Sequence, residues 1–303
     1  MLIRACHLAS SRDPIGQEGD VHRPTVLKDF SPPTLRSAVK ANWAEYYTHL
    51  GSAPGSELSV GPHVSWCLTG VPDAFLNVVF RTRLPSTDAD ELIHATLAHF
   101  RDRQVERCTW WAEAESVCPN LGAHLTAHDL KFSEGGTAMA ADLTALPAEV
   151  PHPAGLTIQQ VQDEGALRSW VQVMRRGFGL PDRGEERLHE LFATLGWTGR
   201  LQSYLASLNG RPVGTAQVFL GAGVAGVYQV TCLPDVRGQG IGAAITLAPL
   251  CEARHKGYYI SILQASHLGH PVYRRLGFRD YGKLNVYLWR NETEPPDVHS
   301  DGA

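Results

Sequence analysis

The chain has 303 residues, 43% of them hydrophobic and 19% charged, with a formal net charge of −4 at pH 7. That length exceeds what one hydrophobic core usually organises, so two domains of similar size are expected. A net negative chain lacks the basic face that displaces counterions from nucleic acid, and no stretch reaches the ~18 continuous apolar residues of a membrane helix, so neither nucleic acid nor membrane is an expected partner.

The opening "MLIRACHLASSRD" lacks the apolar core of a secretory signal, which implies a cytoplasmic protein. The six cysteines (Cys6, Cys67, Cys108, Cys118, Cys232, Cys251) form no C-x-x-C pair, so reduced, mostly buried thiols are expected and no metal site.

Residues 1–32 mix Pro, Gly, Asp, Arg and His without period and read as a loosely ordered arm ending in "KDFSPPTLR". A helix over 34–47 begins the compact structure. Strands follow near 65–68 and 76–83, then a helix over 89–104, a strand "RCTWWAEA", and "PNLGAHLTAHDLKF", a short helix running into a strand. His124 and His128 lie four apart on that helix, as metal-binding pairs do, but no third ligand accompanies them and a half-exposed pair is expected. Trp110 and Trp111 are adjacent in a strand, so one is expected in the core and the other at an interface.

Three prolines in "ALPAEVPHPAG" exclude helix and sheet interior and place an extended linker at 148–155. The expected division is an arm (1–32), a first domain (33–147), the linker, a second domain (156–290) and a flexible tail (291–303). Beyond the linker, "LTIQQV" alternates as a strand. Asp163 then caps a helix whose Leu167, Trp170, Val171 and Met174 recur at helical spacing. Two strand-like runs meet at Asn209-Gly210, a dipeptide suited to a tight hairpin turn, and Val224–Cys232 adds a third strand. A Gly-rich turn and helix follow, then the strand "YYISILQA" and a short helix "HPVYRRLGF" stopped by Gly277. Pro249 stands about eight residues into the helix after the Gly-rich turn, which either kinks it or ends it early. The first half repeats this order in weaker form.

"VRGQGIGA" joins a strand to a helix, where unpaired N–H groups, the positive end of the helix dipole and glycines together suit a phosphate. A nucleoside-triphosphate loop would need Gly-Lys-Ser/Thr, which is absent. The dinucleotide fingerprint would need an acidic residue ~20 positions on, and "GYYISIL" has none. Pro234, Arg237, Gly240 and Gly242 spell P-x-x-R-x-x-G-x-G, which resembles the acyl-CoA loop of the GNAT acetyltransferases. Ser266, Gly269, Tyr273 and Gly277-Phe278 resemble a second segment of that family, N-x-x-A-x-x-x-Y-x-x-x-G-F, with Ser for Asn and Gly for Ala.

The resemblance implies an α/β fold with a mixed, mostly antiparallel sheet flanked by helices, two GNAT-like domains in tandem, and a degenerate first copy. It implies acetyl-CoA as co-substrate, held by Val230, Thr231 and Cys232 along the pantetheine, by Arg237, Gly238, Gln239, Gly240, Ile241 and Gly242 at the pyrophosphate, and by Ser266. Tyr273 would be the general acid that protonates the leaving thiolate. The acceptor would be a small-molecule primary amine and the protein a monomer or homodimer. No carboxylate in Val224–Cys232 offers a base; Glu185 and Glu186 are candidates acting through a water, and Asp235 is read as a solvated turn residue. A non-catalytic acyl-CoA sensor is the alternative, and an NAD dehydrogenase a more distant one.

Overall fold

The computed structural model describes residues 25–112, 118–197 and 199–291, so most of the expected arm and tail lies outside the described residues. The chain runs through α1 (Pro32–Gly51), β1 (Glu57–Val60), β2 (Val64–Leu68), β3 (Asn77–Thr82), α2 (Ala89–Asp102), β4 (Arg107–Ala112), α3 (Leu121–Ala127) and β5 (Lys131–Asp142). It continues through β6 (Leu156–Gln160), α4 (Glu164–Phe178), α5 (Glu185–Leu195), β7 (Leu201–Leu208), β8 (Arg211–Gly221), β9 (Val224–Cys232), α6 (Ile241–His255), β10 (Ile260–Ala265), α7 (His270–Leu276) and β11 (Arg279–Arg290). The strands are mostly antiparallel and flanked by helices, the α/β class expected. Among the described residues no helix is long and apolar enough to cross a membrane.

Two compact units form, and they do not follow the linear halves 33–147 and 156–290. The larger contains residues up to 49 and 136–283, the smaller 50–135 and those from 284 onward. The boundary falls inside β5 and β11, which have 12 residues each: 131–135 and 284–290 belong to the smaller unit, 136–142 and 279–283 to the larger. Thr137–Asp142 of β5 pairs with β10 in the larger unit, whereas Asn285–Arg290 of β11 pairs with β4 in the smaller.

In the larger unit the strands lie in the order β5-β10-β9-β8-β7-β6. Asn209 and Gly210, at φ 51° and 80°, make the turn between β7 and β8. Leu247 and Leu250 of α6 and Leu276 of α7 pack with Val218, Val227 and Leu263 on one face, each buried side chain of this size contributing about 1.5–3 kcal/mol. The side chains that alternate with these, Phe219 and Tyr228, meet Tyr46 of α1 on the other face. α4 begins where the Asp163 carboxylate accepts the Ala166 N–H at 2.8 Å, and it ends at left-handed Gly179. Its Trp170 lies edge-on to Phe192 of α5. α6 is a single helix through buried Pro249, with no break and restart; the proline removes only the N–H that the Ile245 carbonyl would accept.

In the smaller unit the order is β1-β2-β3-β4-β11-β5. β3 and β4 are parallel, pairing at Val78–Thr109 and Val79–Trp110. Both adjacent tryptophans of β4 are buried, so the expected interface tryptophan is a core residue too; the Trp110 indole donates to Thr82 Oγ1 at 2.9 Å. His124 and His128 both face the Asp90 carboxylate, at 2.9 and 3.2 Å.

Candidate active site

β9 and β10 run parallel and pair only from Ala225–Ser261 to Val227–Leu263. Beyond that point the two strands part. Tyr228–Cys232 then borders one side of an opening and Gln264–Ala265 the other, the latter still paired with β5. The register of β8 against β9 shifts here: Thr215 faces Thr231 and Gln217 faces Tyr228, so Ala216 alone opposes Gln229 and Val230. This is a β-bulge, which takes its residues out of the ladder and re-aims their peptide groups. Gln229 sits at φ 50°, a left-handed conformation that costs a non-glycine residue about 1–3 kcal/mol. The Thr215 hydroxyl fixes the bulge by donating to the Gln229 carbonyl at 2.9 Å.

The Gly-rich loop closes one end of this opening. Gly238 and Gly240 are left-handed, at φ 78° and 84°, and Gly240 caps α6. The first helical bond runs from the Ala244 N–H to the Gly240 carbonyl, so the N–H groups of Ile241, Gly242 and Ala243 have no acceptor within the helix. No atom stands within 4 Å of the place a Cβ on Gly238 would occupy, whereas one on Gly240 would meet the Pro151 carbonyl oxygen at 2.5 Å. The linker main chain is thus packed against the loop. Arg237 works on protein carbonyls: its guanidinium donates to Cys232 O at 3.2 Å and to Gly177 O, in the last turn of α4, at 2.9 Å. It ties the loop to β9 and α4. Asp235 beside it pairs with Arg211 at 2.6 Å, which holds its carboxyl below the usual range.

Tyr273, on α7, is buried against Phe278. Burial pushes its hydroxyl pKa well up, the neighbouring Cys232 thiol adds to the rise, and the Thr246 hydroxyl opposes it. The phenol therefore stays protonated near neutral pH. Burial likewise pushes the Cys232 thiol up to about 11, against the pull of Arg237. A Cβ on Gly269 would stand 2.8 Å from the Tyr273 ring, a physical reason for glycine where the family motif has alanine. Ser266 Oγ accepts the Gly269 N–H at 3.2 Å and its carbonyl accepts the His270 N–H, so this serine opens the turn into α7.

The candidate bases are engaged elsewhere. Glu185 is held by Arg175 at 2.7 Å, and exposed Glu186 lies 3.9 Å from Arg168. Sequence reasoning did not reach Asn42, Tyr46, Gln217 and Gln264 on the other face of the bulge, and it took Tyr228 only as a polar side chain of its strand. Burial raises the Tyr228 hydroxyl pKa, and the Gln264 amide close by opposes the rise, although Gln264 Nε2 itself makes no hydrogen bond. No local pattern marks these residues, because their partners come from strands and a helix far apart in the chain.

Residues 200–280 match the acetyltransferase (GNAT) domain family. The chain is 29% identical over 155 residues to a mycothiol acetyltransferase of Thermomonospora curvata, covering 49% of this chain and 51% of that protein. It is 38% identical over 78 residues to a glucosamine 6-phosphate N-acetyltransferase of Trypanosoma brucei brucei, covering 23% of this chain and 52% of that one. The chain thus spans about half the length of the curated relatives it matches. Among solved structures, a GCN5-related N-acetyltransferase from Kribbella flavida superposes with a TM-score of 0.60 at 20% identity, covering 84% of this chain and 94% of that one. A tandem GNAT protein from the clavulanic acid biosynthesis pathway covers 90% and 99%, with a TM-score of 0.53 at 17% identity. Residues 200–280 therefore form a GNAT acetyltransferase domain, and the chain has the fold of the GNAT superfamily.

Proposed function

We propose that the protein is a cytoplasmic N-acetyltransferase that moves an acetyl group from acetyl-CoA to the primary amine of a small molecule. The observation that carries this reading is the opening between β9 and β10, with the left-handed glycine loop at one end and the Tyr273 hydroxyl beside Cys232. The N–H groups of 238–242 suit a pyrophosphate, for the open space at Gly238 and the unsatisfied first turn of α6 fit such a group. The unpaired edge Val230–Cys232 accepts the pantetheine as an added strand, and the re-aimed N–H of the bulge polarises the thioester oxygen.

A neutral amine nitrogen attacks the thioester carbonyl, the N–C bond forms and the C–S bond breaks. The amine, with an ordinary pKa near 10.4, gives up its proton to water, since the polar residues of the two strand edges that border the opening, Tyr228, Gln229, Thr231 and Gln264, are neutral. Tyr273 donates its proton to the departing sulfur and is reprotonated from solvent. Tyr273→Phe tests this: the ring stays in the core, and release of free thiol from acetyl-CoA in the presence of an amine acceptor should fall about 10²-fold or more with binding kept. The same neutral lining favours the second reading, an acyl-CoA sensor, in which the wild type with any amine releases thiol no faster than acetyl-CoA and amine alone.

We infer further that the smaller unit is a second GNAT-like copy without the coenzyme site. Its run β1-β2-β3-α2-β4-α3-β5 repeats β7-β8-β9-α6-β10-α7-β11, each with a parallel pair at its centre. Where the larger unit has glycines, α2 opens on Asp88, Asp90 and Glu91, carboxylates that occupy the positive end of the helix and repel a pyrophosphate.

A further inference from the structure

The bulge at Gln229–Val230 is held from the side opposite α6 and α7 by residues that lie outside the matched segment 200–280. Tyr46, fully buried on α1, stacks on Tyr228 with ring centroids 3.9 Å apart and planes within 3°. Its hydroxyl sits between the two strands of the bulge. It accepts from Gln229 Nε2 at 3.2 Å and donates to Gln217 Oε1 at 3.2 Å, and Gln217 Nε2 donates in turn to Ser203 Oγ at 2.9 Å on β7. One directional chain of hydrogen bonds therefore runs from the left-handed residue of β9, through α1, to β8 and β7. One turn earlier on α1, Asn42 accepts the Tyr228 hydroxyl at 2.7 Å and donates to the Gly221 carbonyl at 2.8 Å. α1 is thereby fastened along the β8–β9 pair from the hairpin end to the bulge.

A left-handed glutamine in a strand persists only where its surroundings over-determine it. Gln229 has two restraints: Thr215 on its carbonyl and Tyr46 on its side chain. We propose that Tyr46 is a positioning residue for acetyl transfer, holding the Gln229–Val230 peptide in the orientation that aims an N–H at the thioester oxygen; this rests on the acetyltransferase reading above. Tyr46 touches no reacting atom. Its effect passes through the bulge, which makes α1 part of the catalytic unit although it precedes the GNAT domain by some 150 residues of chain.

The test uses the whole chain and acetyl-CoA carrying ¹³C at the thioester carbonyl. In the wild type the bound carbonyl stretch should move to lower frequency than in free acetyl-CoA, the signature of a hydrogen-bonded thioester. Tyr46→Phe keeps the stacked ring and removes the hydroxyl, and Gln229→Met removes the other end of the same bond. Both should lose the frequency shift while their affinity for free CoA, which has no carbonyl at this position, stays unchanged. Near-UV circular dichroism checks the fold of each, and if Tyr46→Phe fails it, Gln229→Met decides. A band that stays at the wild-type frequency in the folded variants overturns the positioning role alone. A wild type that binds neither acetyl-CoA nor CoA overturns the acetyltransferase reading, and this inference with it.

Discussion

Gly238 and Gly240 share a left-handed backbone but differ in what surrounds them, and that difference separates two outcomes. Gly238→Ala meets only the conformational penalty, about 1–2 kcal/mol, because its Cβ enters open space. Gly240→Ala adds a collision with the Pro151 carbonyl and should lower the melting temperature distinctly more, measured by calorimetry on both variants. Asn42→Ala leaves the Tyr228 hydroxyl and the Gly221 carbonyl without their partner inside the protein, and should cost about 2–4 kcal/mol in urea unfolding. At Tyr273 the raised pKa sets a sign. The neutral phenol is the form the fold favours, so its contribution to stability is complete below about pH 10, the unfolded value, and is lost only as pH rises through the higher folded value. Thiol release should accordingly show no alkaline decline from Tyr273 between pH 7 and about pH 9, a profile that Tyr273→Phe leaves at a uniformly lower level.

At the scale of elements, what could be read in the sequence was local. The Asn209-Gly210 hairpin, the Asp163 cap, the span Val224–Cys232 and the αL stop at Gly277 all depend on a few neighbouring residues, and each stands where its chemistry placed it. The glycine loop before α6 was legible for the same reason. Pro249 was not decidable from pattern, since whether a helix survives an internal proline depends on packing, and here the surrounding residues are buried. The bulge at Gln229 left no trace, because nothing about a glutamine announces a positive φ. Arg237 shows the converse: the motif was visible, but its guanidinium reaches the carbonyls of Cys232 and Gly177. Arg237→Ala should therefore loosen the loop in the absence of any ligand, seen as faster amide exchange over 233–242.

At the scale of the chain, the division into units was hidden for a related reason. Periodicity identifies a strand but not its partners, and the boundary between the units falls inside β5 and β11. The same blindness concealed α1, whose helix over 34–47 was evident while its seat on β8 and β9 was not. If only the larger unit holds the coenzyme, acetyl-CoA should slow amide exchange in 228–244 and leave the start of α2, with its three carboxylates, unchanged. Equal protection at both helix starts would give the smaller unit a site of its own.

The most direct test of the central claim is a thermal melt of the intact protein with saturating acetyl-CoA, free CoA and NAD in parallel. A ligand present at about 100 times its Kd adds roughly 2.7 kcal/mol to the state that binds it, enough to raise the melting temperature by several degrees. Acetyl-CoA and CoA should each give such a rise and NAD none, and Gly240→Ala should lose it. No rise with either coenzyme, or a rise with NAD alone, would contradict the claim.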